Sequence, residues 1–359
     1  MMDVASATFV LVGSYASPEE TGLYAFALDG GIYPQAAWTG FRNPSFVTVH
    51  PRGPYVYVVS ETGLANDGVA GTVHAFRIDR PGGMWNLTAL NHQPSSGDHP
   101  CHLAMDRDGR WLAASNYGSG SVSVFPIRPD GSLADATAVV HHSGDGPNRE
   151  RQEGPHTHAS VFSPDGRSLI VADLGIDQLI VYEFDPGTGS LTPRLTVEAA
   201  PGAGPRHLAF HPDGVHLFVV NELDNTLVLL RWDGSDRQLH RRQTVSTLSG
   251  DTRHNTAADI HVSPSGRHVY VSNRGHDSLA VYEFDEARGL TLTAVRPCGG
   301  TVPRGFGLVP DGGEVIVSNQ GSGELVVLPL IDGGADVGDP LARMPVRQAS
   351  CVAFLSKVD

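Results

Sequence analysis

Lysine is almost missing from this chain. Lys357 is the single one, so every other basic side chain among the 25 Lys and Arg is arginine. Against them stand 39 Asp and Glu, for a formal net charge of −14. That balance excludes a non-specific binder of nucleic acid or of an anionic membrane, since both surfaces would repel it. It leaves room for a local pocket lined by arginine. Cysteine is scarce as well. Cys101, Cys298 and Cys351 are too few and odd in number for a disulfide framework, which points to a reducing compartment. No apolar run approaches the ~18 residues of a membrane span. The opening MMDVASATFVLVG has no basic leader and breaks at a Gly-Ser turn, so no signal peptide is expected and a cytoplasmic location is. A helical period of useful length is missing too. So are the G-x-S-x-G elbow, the Walker loop and the H-E-x-x-H pair.

What is plentiful is turn chemistry, with 42 Gly and 25 Pro. A turn of the type [SH]-P-[DS]-G recurs as HPRG at His50, SPDG at Ser163, HPDG at His211 and SPSG at Ser263. Degenerate copies are DRDG at Asp106 and VPDG at Val309. The copies lie 46 to 57 residues apart, which gives the 359 residues about seven units. Before each turn runs a strand with alternate apolar positions, such as RHLAFH. After it runs a β-branched strand, such as HVYVSN. A third strand follows (DSLAVYEFD, DQLIVYEFD), then a weak fourth. Short strands at a period near 50 with Gly-rich turns predict an all-β protein. The expected fold is one seven-bladed β-propeller domain over 1–359, built of four-stranded antiparallel blades. The chain ends fit. QASCVAF at 348–354 reads as a first strand without a second, and residues 8–15 and 22–29 read as later strands without a first. One blade should be closed by one C-terminal and three N-terminal strands, with 348–354 beside 8–15. That removes the open sheet edges.

In such a blade the first strand is innermost, and its start shares a rim with the end of the second. Five residues before each turn the series reads Ser45, Cys101, His158, Arg206, Ala258, Arg304 and, on the closing strand, Ser350. One position later it reads Phe46, His102, Ala159, His207, Asp259, Gly305 and Cys351. Second strands end at Glu61, Asn116, Asp173, Glu222, Arg274 and Gln320 or one residue before. One channel mouth should thus collect His102, His158, His207, Arg206, Arg274, Arg304, Asp173, Asp259 and Glu222, a concave site with convergent ionisable groups. Asp173, Asp259 and the strand-end asparagines read more simply as turn caps. Arginines beside a channel need an anionic partner. The long link HHSGDGPNRERQEGPHTH at 141–158 reads as a functional loop over the mouth. Its His141, His142, His156 and His158 lack carboxylate or thiolate partners at ligand spacing, so no metal is expected there.

The stretches RQEGPHTHASVFSPDGRSLIVADLGIDQLIVYEFD, GAGPRHLAFHPDGVHLFVVNEL, AADIHVSPSGRHVYVSNRGHDSLAVYEFD and PRGFGLVPDGG resemble the lactonase family of seven-bladed propellers. That family includes propeller-type 6-phosphogluconolactonases and carboxymuconate cyclases, and the resemblance covers nearly the whole chain. It implies a site at His158, Arg206, Glu222 and Arg274, with His207, Arg304 and Gln152 at further family positions. The expected activity is hydrolysis of a small anionic sugar lactone without a cofactor. Glu222 or His158 would take a proton from water, Arg274 would face the oxyanion, and Arg206 and Arg304 would hold phosphate or carboxylate. A lactonising cycloisomerase and a non-catalytic ligand- or protein-binding propeller are the alternatives. Monomer and dimer both stay open.

Overall fold

The computed structural model of the protein describes residues 8–250, 254–310 and 313–355. Seven antiparallel sheets form a ring of blades. In the fourth blade, Pro205–Phe210 is innermost, followed outward by His216–Asn221, Thr226–Asp233 and Gln238–Ser246. The other blades repeat this order. The closing blade is built as the chain ends predict: Ala349–Phe354 pairs with Thr8–Ser14, which carries Leu23–Leu28 and Ile32–Trp38 outside it. Two local features depart from the repeat. The sixth blade splits its outer strand, so that Asp336–Val337 and Ala342–Pro345 both pair with Glu324–Ile331. In the first blade a single helical turn, Leu64–Asp67, follows the second strand.

Alternation of side chains explains where the core lies. Each middle strand sends one set of apolar residues to each neighbouring blade. There is accordingly no central core but seven apolar layers, one between each adjacent pair of blades. Phe218, Val220 and Leu229 of the fourth blade meet Val269, Val271 and Tyr282 of the fifth. Ile170 and Val181 of the third meet Leu217 and Val219 of the fourth. The closing blade shares one layer with the sixth blade and another with the first. Each fully buried large side chain contributes about 1.5–3 kcal/mol.

The repeated turns are scaffold. Gly109, Gly166, Gly214 and Gly266 hold φ of 72°, 66°, 72° and 75°, the left-handed region that glycine alone enters freely. Where the turn begins with histidine, the ring reaches the next blade: His50 Nε2 lies 2.9 Å from the Gly109 carbonyl, and His211 Nε2 lies 3.1 Å from that of Gly266. The sixth such turn, at Val309, runs outside the described residues at 311–312.

Candidate functional site

Six of the seven innermost strands share one irregularity, and it builds the site. In the fourth blade Pro205 pairs with Asn221 but His207 pairs with Val220, so Arg206 is an extra, bulged residue. The same shift falls at Cys101, His158, Arg304 and Ser350 and around Ala258–Asp259. A β-bulge sets aside strict alternation and re-aims the local side chains. Arg206 and His207 are consecutive, yet both face the central channel. Together with His102, His158, Arg304, Tyr15 and Glu61 they line a cavity of about 400 Å³.

Three histidines form one wall. The His207 ring centroid stands 5.3 Å from that of His102 and 5.2 Å from that of His158. Burial holds all three imidazoles neutral. The His102 and His158 pKa values lie well below the ordinary value, His158 being depressed further by Arg206. His207 is pushed down to about 4 by burial and by Arg206, against the pull of Asp259. Its Nδ1 lies 2.8 Å from Asp259 Oδ1. Burial opposes ionisation of Asp259, but His261 and His207 hold its carboxyl well below the usual range. Asp259 also accepts the backbone N–H groups of Ile260 at 2.9 Å and Phe306 at 3.1 Å. A neutral imidazole that donates from Nδ1 to a carboxylate keeps Nε2 bare, which is the form of a general base.

Glu222 and Arg274 do not line this cavity. They adjoin it through Arg206. Glu222 meets Arg151 at 2.6 Å, Arg206 at 2.9 Å and Arg274 at 2.8 Å. Burial would raise its pKa, but the three guanidinium groups hold it far below the carboxylate range. Such a carboxylate is a poor proton acceptor and a strong anchor. Arg206 spends its group within the protein, since Nη1 donates to the Ala258 carbonyl of the next blade at 2.6 Å. It therefore ties two blades as well as lining the cavity. Arg274 keeps a buried Nε with no partner among the described residues. Arg304 differs from both. It donates to Tyr15 Oη at 2.6 Å and lies over that ring at 5.0 Å, but no carboxylate among the described residues is within ion-pair distance. Burial works against its charge, and Tyr15, Glu61 and Glu222 more than offset this.

Gln152, like Glu222 and Arg274, is a predicted site residue that lies outside the cavity. It is fully buried away from the cavity, and its Nε2 donates to the Leu174 carbonyl and to Asp177 Oδ1, both at 2.8 Å. It pins the long loop instead of facing a ligand. That loop sends its histidines to separate places. His142 lies 2.6 Å from Asp173, His156 stacks on Tyr117 with centroids 4.4 Å apart, and His158 faces the channel. Arg151, from the same loop, is the residue that sequence reasoning missed. Its place in a predicted functional loop was its only signal. Asp259 was read as a cap, and nothing local reveals that its partner lies in the preceding blade.

A family model described as a lactonase, 7-bladed beta-propeller matches residues 9–354. A Bacillus subtilis protein named 6-phosphogluconolactonase is 36% identical over 356 residues, covering 97% of this chain and 98% of that one. One of the same name from Formosa agariphila is 30% identical over 329 residues, covering 89% and 91%. Among solved structures, the periplasmic gluconolactonase of Pseudomonas aeruginosa superposes with a TM-score of 0.90 at 32% identity, over 99% of this chain and 100% of that one. Among the described residues no helix is long and apolar enough to cross a membrane.

Proposed function

Because the chain belongs to the lactonase family of seven-bladed β-propellers, we propose that it hydrolyses an anionic sugar lactone, with 6-phosphogluconolactone the leading substrate and 6-phosphogluconate the product. The observation that carries this reading is the Asp259-oriented His207 on the wall of an arginine-bearing cavity. Water beside His207 gives its proton to Nε2 as its oxygen bonds to the lactone carbonyl carbon. Negative charge moves onto the carbonyl oxygen, where a guanidinium stabilises it. The ring C–O bond then breaks, the proton on Nε2 passes to the departing alkoxide, and the new acid ionises. Arg304, which has no carboxylate partner among the described residues, anchors the phosphate.

Glu222 is thereby a positioning residue, because three arginines engage its oxygens outside the cavity that His207 lines. His158 is neutral but has no carboxylate among the described residues to fix its tautomer, so it borders the substrate. None of these steps calls for a metal or an organic cofactor. The three cysteines are free and buried, which supports a reducing, cytoplasmic setting.

The test is a panel of lactones, with and without a phosphate group, assayed with chelator-treated enzyme. The expected result is hydrolysis, fastest on a phosphorylated sugar lactone. Turnover of none of them would sink the proposal. So would conversion of a muconate-type lactone alone, without addition of water.

A further inference from the structure

The fourth-blade turn, His211-Pro-Asp-Gly-Val-His216, carries three potential ligands on the rim away from the channel mouth. Arg206 begins the innermost strand and His211 follows its end, about 16 Å further on at ~3.3 Å per residue. His211 Nδ1 lies 2.9 Å from Asp213 Oδ2, and His216 Nδ1 lies 2.7 Å from the same oxygen. The ligand atoms all fall within 4.8 Å of one another. Both rings are largely buried, whereas Asp213 keeps 36% of its side chain exposed, so the cluster has one open side.

Hydrogen bonding within the turn places a proton on His211 Nε2. Its Nε2 sits 3.1 Å from the Gly266 carbonyl, which can only accept, so Nε2 carries the proton. Its Nδ1 accepts the Asp213 backbone N–H at 3.1 Å. A neutral His211 thus turns a bare nitrogen lone pair toward a carboxylate oxygen at 2.9 Å. Two acceptors at that separation repel each other unless a proton or a metal ion lies between them. Asp213 Oδ1 is engaged separately by the Val215 and His216 N–H groups at 2.7 and 3.1 Å, which leaves Oδ2 to the histidines.

The other turns lack one or more of the three positions. His50-Pro-Arg-Gly has Arg52 in place of the Asp, Ser163-Pro-Asp-Gly has no histidine at its start, and Ser263-Pro-Ser-Gly has only His268. His211 is explained as a staple to the next blade, as His50 is. The inter-blade staple does not explain Asp213 and His216 beside it.

We propose that His211, Asp213 and His216 form a divalent transition-metal site on this rim, holding an ion of the Zn²⁺ or Co²⁺ class through two imidazole nitrogens and one carboxylate oxygen. Two nitrogens with one oxygen favour such ions over Ca²⁺ or Mg²⁺. Water would fill the remaining positions on the exposed side. His211 already has the required tautomer, and His216 reaches it by moving its proton from Nδ1 to Nε2. The Asp213 N–H loses its acceptor and turns to solvent. Through the His211–Gly266 bond, the ion would stiffen the joint between the fourth and fifth blades.

The full chain, freed of any affinity tag and stripped by chelation, is titrated with Co²⁺ and Zn²⁺ by visible absorption and calorimetry. The expected result is one equivalent bound, a raised melting temperature on binding, and at least tenfold weaker affinity in both His216→Gln and Asp213→Asn. Metal-free melting and circular dichroism establish that each variant is folded, and either one alone suffices for the comparison. A wild type that binds neither ion stoichiometrically overturns the site. So does one-equivalent binding that persists undiminished in a folded variant.

Discussion

Arg206 and Arg304 occupy equivalent positions in the fourth and sixth blades, yet their guanidinium groups meet different neighbours. Arg206 is tied to Glu222 and to the Ala258 carbonyl, whereas among the described residues Arg304 has only Tyr15 as a hydrogen-bond partner. Arg206→Ala should therefore cost stability, about 3–5 kcal/mol as for one member of a buried ion pair, read as a lower denaturant midpoint. Arg304→Ala should spare that midpoint and lower kcat/KM by a factor that reflects about 2–5 kcal/mol. Arg304→Lys should recover little, because the planar fork is lost. The reverse pattern would make Arg206 the anchor. Asp259→Asn tests the base. It removes the carboxylate that fixes the His207 tautomer, so kcat should fall by about 10²–10⁴ with KM little changed. Unaltered kcat would take His207 out of the proton transfer. Counting back from each turn was enough to find His207, Arg206 and Arg304, because a repeat preserves position. It could not find what a side chain bonds to. Gln152 turns inward to Leu174 and Asp177, Arg151 reaches from a loop to Glu222, and Asp259 meets a histidine 52 residues away.

At the scale of the strand, the bulge matters most. Period-two alternation puts Arg206 and His207 on opposite faces, and one extra residue lets both line the cavity. Bulges leave no compositional mark here, since the extra residue is Cys, His, Arg or Ser in turn. The strands themselves, and the pairing of 348–354 with 8–15, were legible because turn chemistry and β-branched runs recur at every unit. The split outer strand of the sixth blade and the helical turn at Leu64–Asp67 were not, because neither repeats. Closure of the ring also depends on a close approach. A Cβ on Gly305 would come within 2.4 Å of the Ser350 carbonyl oxygen on the closing strand. Gly305→Ala should thus push the sixth and closing blades apart at a cost of about 1–3 kcal/mol. Thermal melting would register it, and a wild-type midpoint would show that the contact yields freely.

For the whole ring, buried histidines set the response to acid. His74 and His207 are pushed down to about 4, chiefly by burial, and His102 and His158 lie well below their ordinary value of 6.5. Between these values the unfolded chain binds more protons than the folded one, so stability rises with pH. His268 is lowered by burial as well, and His261, shifted upward, opposes them as one against five. Each depressed histidine contributes up to about 1.4 kcal/mol per pH unit within its window. Glu222 and Asp259, both held down, add the same sign at still lower pH. Unfolding midpoints should climb steadily from about pH 5 to 6.5 and then level off. A flat profile would mean that these rings are solvated in solution. The closing blade has a consequence in time as well as in space. Ser350 and Gly13, joined by a hydrogen bond, are 337 residues apart. At a synthesis rate of ~5–20 residues per second, roughly 17–70 s separate their emergence from the ribosome. Throughout that interval the inner edge of Thr8–Ser14 has no partner, and the nascent chain carries an open strand that could recruit another copy. Pairing with Ala349–Phe354 is what ends this exposure, so expression yield should follow the speed of ring closure more closely than the stability of the finished ring.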